Sequence, residues 1–155
     1  MEMLSQRETR AFHEAGHAVV AWAVGARIEL VTANETEDFL GHCMVASDAT
    51  PHQLALIARG GAIAESKYTG RPEDELWREL LRDRECRDEN DAACKNCSAA
   101  QHDQRARTIL KNNYGGLESL ARQVHRCPVV TGAEVAHILN ENKTRAKQGA
   151  VDELS

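Results

Sequence analysis

Apolar residues recur at steps of three and four over most of the chain, which is the spacing of amphipathic helices. The first such pattern predicts a helix from Thr9, its expected N-cap, to about Val24, with Gly25 as the residue that ends it. Two segments alternate apolar and polar positions instead: RIELVTA (27–33) and FLGHCMVA (39–46). They predict two short strands that pair as a hairpin.

The rest of the chain returns to helical spacing. Pro51 predicts the start of a helix over 52–68, and the Gly60-Gly61 step inside it indicates close approach of another element. NNYGG (112–116) predicts a turn. Further helices are predicted around Leu76–Leu81, over 100–112, over 117–126 and from Thr131, where Thr131 and Glu134 have the spacing of a capping box.

These elements predict one domain over residues 1–145, mainly α with a small β-hairpin or sheet, in the α+β class. Aromatic residues number only six, so the core is expected to consist of Ala, Val, Leu and Ile. A densely charged, cysteine-containing segment at about 71–97 differs in composition from the rest of this domain, and 146–155 is expected to fray.

Charge and hydropathy exclude several classes of partner. The net charge is −5, with acidic and basic residues interleaved, which argues against a nucleic-acid surface. No apolar run approaches the roughly 20 residues of a membrane span, and the N-terminal residues lack the apolar core of a signal peptide. A cytoplasmic location is therefore expected.

The stretch FHEAGHAVV (12–20) carries the most specific chemistry. His13 and His17 are four residues apart, so on a helix both imidazoles lie on one face and can bind one ion. Glu14 lies beside them as the candidate base. Such a set predicts a zinc site at which water is acidified and attacks a carbonyl.

A catalytic zinc site needs a third protein ligand and an open position. Spacing alone leaves four candidates, which are Glu65, Asp103, His102 and His42. His102 is expected on the solvent face of its helix.

The stretch FHEAGHAVVAW (12–22) resembles the active-site helix of the FtsH-type zinc peptidases, the proteolytic domain normally attached to an AAA ATPase. Looser similarities occur in the family's order over roughly residues 5 to 140. They are RIELVTA with FLGHCMV for the strand pair, ARGGAIAESKYTG for a glycine-alanine helix, SAAQHDQRARTIL for the segment with the third ligand, and TGAEVAHIL for a C-terminal helix.

The resemblance implies a helical FtsH-peptidase-like fold and a role for each matched residue. His13, His17 and Asp103 would bind the catalytic Zn²⁺, and Glu14 would act as the base. Glu65 would orient an imidazole N–H. His102 and Gln104 stand where the family's segment has Asn and Leu, so the match around Asp103 is looser than that around the histidines.

The chain departs from the family in two ways. It has no G-x-x-x-x-G-K-[ST] motif, so no ATPase is expected in it. Its charged segment at about 71–97 is longer than the family's connection between these elements, which indicates an insertion near the mouth of the site. A peptidase of this kind would act without ATP on unstructured polypeptide. The substrate would add as a strand beside residues 40–44, with Leu40, Gly41, His42 and Cys43 as the candidate contacts. A separate ATPase or a regulatory protein would be its other partner.

The cysteines allow three interpretations. Cys94-x-x-Cys97, with Cys86 and Cys127 as further candidates, could bind a second, structural zinc ion. A disulfide could clamp the insertion, or the thiols could be free. Cys43, on the second predicted strand, is expected to be a buried core thiol.

The sequence thus predicts a zinc-dependent endopeptidase. Two alternatives keep the metal but give it a different use. One is a metal-containing binding or regulatory module that needs a partner, and the other is a metal-dependent amidase acting on a small substrate.

Overall fold

The structure is a computed structural model of the 155-residue chain. It describes residues 5–35, 41–79, 89–94 and 97–154. The elements in chain order are α1 (Gln6–Ala23), β1 (Ile28–Thr32), β2 (His42–Val45), α2 (Pro51–Thr69), α3 (Glu73–Glu79), α4 (Ala99–Asn112), α5 (Tyr114–Arg126), β3 (Val130–Thr131) and α6 (Gly132–Leu154). A further helical turn covers 89–93. The predicted α+β class, mainly helical with a small sheet, is confirmed.

Helix α1 begins one turn earlier than the sequence pattern predicts. Ser5, not Thr9, is the N-cap: its hydroxyl accepts from the Glu8 N–H, and the Glu8 carboxylate accepts from the Ser5 N–H. This capping box satisfies two groups that a helix start at Thr9 would leave unpaired. At the other end the prediction is confirmed, since Gly25 comes after the helix at φ +80°, a conformation that favours glycine.

Helix α2 crosses α1 with the two backbones in contact. A Cβ added at Gly16 would lie 2.3 Å from the carbonyl oxygen of Gly60, and one added at Gly60 would lie 2.5 Å from that of Gly16. No side chain fits between the helices there. The close approach expected at the glycine pair of α2 is therefore confirmed, and it fixes the distance between the two helices.

The sheet has three antiparallel strands in the order β2-β1-β3. The predicted pairing of the first two strands is confirmed, with Val31 opposite Cys43 and Thr32 opposite His42. The third strand is only two residues long, too short to produce an alternating pattern. Because β1 lies in the middle of the strand order, β2 is an edge strand of the sheet that the described residues form.

The main core lies between α1, α2, α4, α5, α6 and the sheet, and its buried residues are all Ala, Val, Leu or Ile. The aliphatic core that the composition predicts is thus confirmed. Two large polar side chains are also fully buried, Arg59 and His102. Among the described helices, none is long and apolar enough to cross a membrane.

The turn predicted over NNYGG is limited to Asn113, so the prediction is wrong for the other four residues. Only Asn113 interrupts the helices, and Tyr114, Gly115 and Gly116 form the first turn of α5. At Gly116 the absence of a side chain leaves room for α6, since a Cβ there would lie 2.9 Å from Leu139 Cδ2.

Helix α6 begins with half of the predicted capping box, since the Thr131 hydroxyl accepts from the Glu134 N–H at 3.2 Å. It continues past Arg145, where fraying is expected, to Leu154. The extension, AKQGAVDEL, includes Ala, Lys, Gln, Glu and Leu, which are good helix formers.

Candidate functional site

The two histidines of the FHEAGHAVV stretch converge on one point. Their Nε2 atoms are 3.1 Å apart, with the rings nearly perpendicular at 79°. His13 is 8 % exposed, as is Glu14 between them. The apolar face of α1 carries the pair into the groove between α1 and α2, so the convergence arises from helical spacing and from the glycine-mediated crossing.

Each imidazole is oriented through its other nitrogen. His17 Nδ1 lies 2.6 Å from the carbonyl oxygen of Ile57, and His13 Nδ1 lies 2.8 Å from Glu65 Oε2. A carbonyl oxygen only accepts, so Nδ1 of His17 carries the hydrogen and Nε2 presents a lone pair. Donation from His13 Nδ1 to the Glu65 carboxylate gives its Nε2 a lone pair as well. Two lone pairs 3.1 Å apart repel each other unless a cation lies between them.

A zinc ion fits this arrangement. Two imidazoles on a tetrahedral zinc, at Zn–N distances of about 2.0–2.1 Å, have nitrogens about 3.3 Å apart. Gly61 provides the space beside them: an added Cβ would lie 2.4 Å from His17 Nε2 and 2.5 Å from His13 Nε2. The backbone of α2 therefore lies so close to the two donor atoms that a side chain at position 61 would collide with them.

Glu14 points to the sheet side of α1. A Cβ added at Gly41 would lie 3.2 Å from Glu14 Oε1, so the carboxylate lies against the backbone just before β2. The candidate base is thereby adjacent both to the histidine pair and to the edge strand.

Of the residues predicted to contact substrate, Gly41, His42 and Cys43 lie at the start of this edge, while Leu40 falls outside the described residues. Burial, with the nearby Glu14 carboxylate, raises the pKa of the Cys43 thiol far above its ordinary value. Cys43 is therefore protonated at neutral pH and is a poor nucleophile.

Asp103, the third ligand implied by the resemblance, lies in the second turn of α4. Its Oδ1 accepts a hydrogen bond from Arg59 Nε at 2.8 Å. Arg59 is fully buried in α2, and its guanidinium also donates to the Ala55 carbonyl and to Asp91 Oδ2. The role of Asp103 as a metal ligand stays a prediction.

A second cluster of donor atoms lies next to this ion-pair network. The cluster consists of His52 in the first turn of α2, His102 in α4, and the two cysteines Cys94 and Cys97. Their ligand atoms all lie within 4.8 Å of one another, so the group could hold a metal ion. Among the described residues, no other group of three or more His, Cys, Asp or Glu side chains has its ligand atoms within this distance of one another. His52 Nδ1 lies 3.1 Å from His102 Nε2 and 3.6 Å from Cys94 Sγ.

This cluster changes two expectations from the sequence. His102 is buried, not solvated, because Asp91 and His52 satisfy its two ring nitrogens. Sequence spacing does not identify His52, since 42 residues separate it from Cys94.

The predicted cysteine partners are also revised. Cys127 is not in the cluster: it lies at the C-terminal end of α5, and its sulfur accepts from Gln123 Nε2 at 3.1 Å. Cys86 lies outside the described residues. Cys94 and Cys97 are free thiols, as is Cys43.

Burial and neighbouring charges shift the pKa values of two residues in the cluster. Burial, His102 and Arg105 lower the pKa of His52, which favours its neutral form. Burial and the neighbouring Cys94 raise the pKa of Cys97. Burial is the larger cause of both shifts, and like-charged neighbours add to it.

No protein-family model matches the chain, and no curated protein matches its sequence.

Proposed function

We propose that this chain is a zinc-dependent endopeptidase that cleaves unstructured polypeptide. The observation that carries the proposal is the pair of Nε2 atoms 3.1 Å apart, each imidazole fixed through Nδ1 by an acceptor on α2. Bound zinc would acidify water and polarise a peptide carbonyl.

The residues of the chain would divide the remaining work. His13 and His17 hold the ion, and Asp103 supplies the third, anionic ligand. Glu65 and the Ile57 carbonyl keep the two imidazoles in the tautomer that binds a metal. Glu14 takes a proton from the attacking water as the carbon–oxygen bond forms, and it gives that proton to the amine as the carbon–nitrogen bond breaks.

The edge of β2 supports a polypeptide substrate. Within the described residues this strand pairs with β1 on one side and with no strand on the other, and such an edge is where an extended peptide can add. A peptide that adds to this edge would pass the Glu14 carboxylate, because Glu14 lies against Gly41. Main-chain pairing gives broad sequence tolerance.

The proposal is tested with labelled, unfolded casein as substrate and no ATP. The zinc-loaded chain is expected to cleave it, to lose cleavage on chelation and to recover it when zinc is returned. Dipeptides should not be hydrolysed, because they cannot pair along the strand.

Two outcomes point to the alternatives. Hydrolysis of dipeptides alone would indicate an amidase. A chain that holds zinc at His13 and His17 yet cleaves neither substrate would indicate a metal-containing module that requires a partner.

A further inference from the structure

Four donor atoms from three separate segments meet at the base of the charged insertion. His52 belongs to α2 and His102 to α4, and Cys94 and Cys97 come after the helical turn at 89–93. The proposed peptidase chemistry uses none of these four residues.

The donor set has the composition of a structural zinc site. Two thiolates and two imidazoles form a closed four-coordinate set, and their charges neutralise a divalent ion. Tetrahedral zinc with Zn–N of about 2.0–2.1 Å and Zn–S of about 2.3 Å puts two nitrogens about 3.3 Å apart and a nitrogen and a sulfur about 3.6 Å apart. The corresponding distances from His52 Nδ1 are 3.1 Å to His102 Nε2 and 3.6 Å to Cys94 Sγ.

One ligand is also oriented as metal-binding histidines are. His102 Nδ1 donates to Asp91 Oδ1, so its Nε2 presents a lone pair to the cluster. The other carboxylate oxygen of Asp91 accepts from the buried Arg59. Asp91 is thus held from two sides, and it holds His102 in the binding tautomer.

His52 requires one local change on metal binding. Its Nε2 lies 3.2 Å from Arg105 Nη1, which can only donate, so in the metal-free protein Nδ1 carries the hydrogen. A metal on Nδ1 moves that hydrogen to Nε2, which then repels the guanidinium. Arg105 is exposed, so its side chain can turn into solvent.

We propose that His52, Cys94, Cys97 and His102 bind a structural zinc ion that fastens the helical turn at 89–93 to α2 and α4. Binding releases the two thiol protons to solvent. Since Asp91 lies in that turn and pairs with Arg59, the ion also holds the ion-pair network that contains Asp103. The site shares no ligand with the His13–His17 pair, and it stands whether or not the chain is a peptidase.

Cobalt substitution in the full chain under reducing conditions tests the site. Thiolate-to-cobalt charge-transfer absorption is expected at one equivalent of Co²⁺ per chain. It should persist in His13→Ala, which removes the other metal pair, and disappear in Cys94→Ser and Cys97→Ser. Cys43→Ser and Cys127→Ser are the matched controls and should keep the band. Absence of the band from the wild-type chain, or its survival in both Cys94→Ser and Cys97→Ser, would overturn the proposal.

A second measurement does not depend on the folding of the cysteine variants. X-ray absorption at the zinc edge of the His13→Ala chain should show two sulfur neighbours at about 2.3 Å and two nitrogen neighbours at about 2.0 Å. A zinc shell without sulfur would contradict the assignment. Arg105→Ala should bind the metal at least as tightly as wild type, and a loss of affinity would contradict the assigned His52 tautomer.

Discussion

The Nε2 atoms of His13 and His17 lie 3.1 Å apart, and the backbone of Gly61 approaches both so closely that one added methyl group would touch each of them. Position 61 therefore limits the space available to the proposed ion. The two adjacent glycines thus have different roles. Gly60 allows α1 and α2 to cross closely, and Gly61 leaves room beside the two histidines.

Gly61→Ala should remove zinc from this pair. The new Cβ would lie 2.4–2.5 Å from both donor atoms, so the imidazoles must move apart. The loss of affinity should be at least the roughly 10- to 100-fold typical of losing an orienting partner. Equilibrium dialysis with zinc measures it. Gly115→Ala is the control, because its nearest neighbour would be 3.6 Å away, and equal zinc affinity in the two variants would contradict the assignment.

Gly60→Ala should destabilise the fold. Its Cβ would lie 2.5 Å from the Gly16 carbonyl oxygen, so α1 and α2 must separate. Overpacking of this kind costs about 1–3 kcal/mol. Urea unfolding should show this loss for Gly60→Ala and no loss for Gly115→Ala. Unchanged stability of Gly60→Ala would show that the helix crossing is not as close as described.

Glu65→Gln should weaken zinc binding without unfolding the protein. The neutral amide orients His13 less firmly than a carboxylate does, and such a loss typically lowers metal affinity by about 10- to 100-fold. Exposed Glu75→Gln on α3 provides the same chemical change away from the site. The role given to Glu65 is contradicted if the two variants bind zinc equally.

Arg59→Met should be among the most destabilising single changes in α2. Arg59 is fully buried and pairs with both Asp91 and Asp103, so its removal leaves two carboxylates without their shared cation. Breaking a buried pair in this way costs about 3–5 kcal/mol. Arg122→Met is the matched control, since its pair with Glu118 on α5 is exposed and contributes at most about 1 kcal/mol. Similar unfolding free energies for the two variants would refute the role given to Arg59.

Local patterns identified those parts of the fold that depend on nearby residues. The helix over 51–69 arises from Thr50, Pro51 and an apolar run, and the first two strands arise from alternation. The histidine pair arises from a spacing of four on one helix. In each case the residues involved lie within a few turns of one another, so the sequence contains the signal.

Contacts between distant segments were not predictable in the same way. The burial of His102 depends on His52 and Asp91, which reach it from other elements. In the first turn of α5, Gly116 leaves room for Leu139 of α6, and nothing within NNYGG indicates that contact. Such features become visible only when the segments are packed together.

The most direct test of the proposed function is the variant Glu14→Gln. It keeps the shape of the side chain and removes the base, so cleavage of unfolded casein should fall by about 10²- to 10⁴-fold while the zinc content stays that of wild type. Glu29→Gln, an exposed position on β1, should cleave normally. Cleavage by Glu14→Gln at the wild-type rate, with zinc bound, would contradict the proposal that this chain is a zinc peptidase.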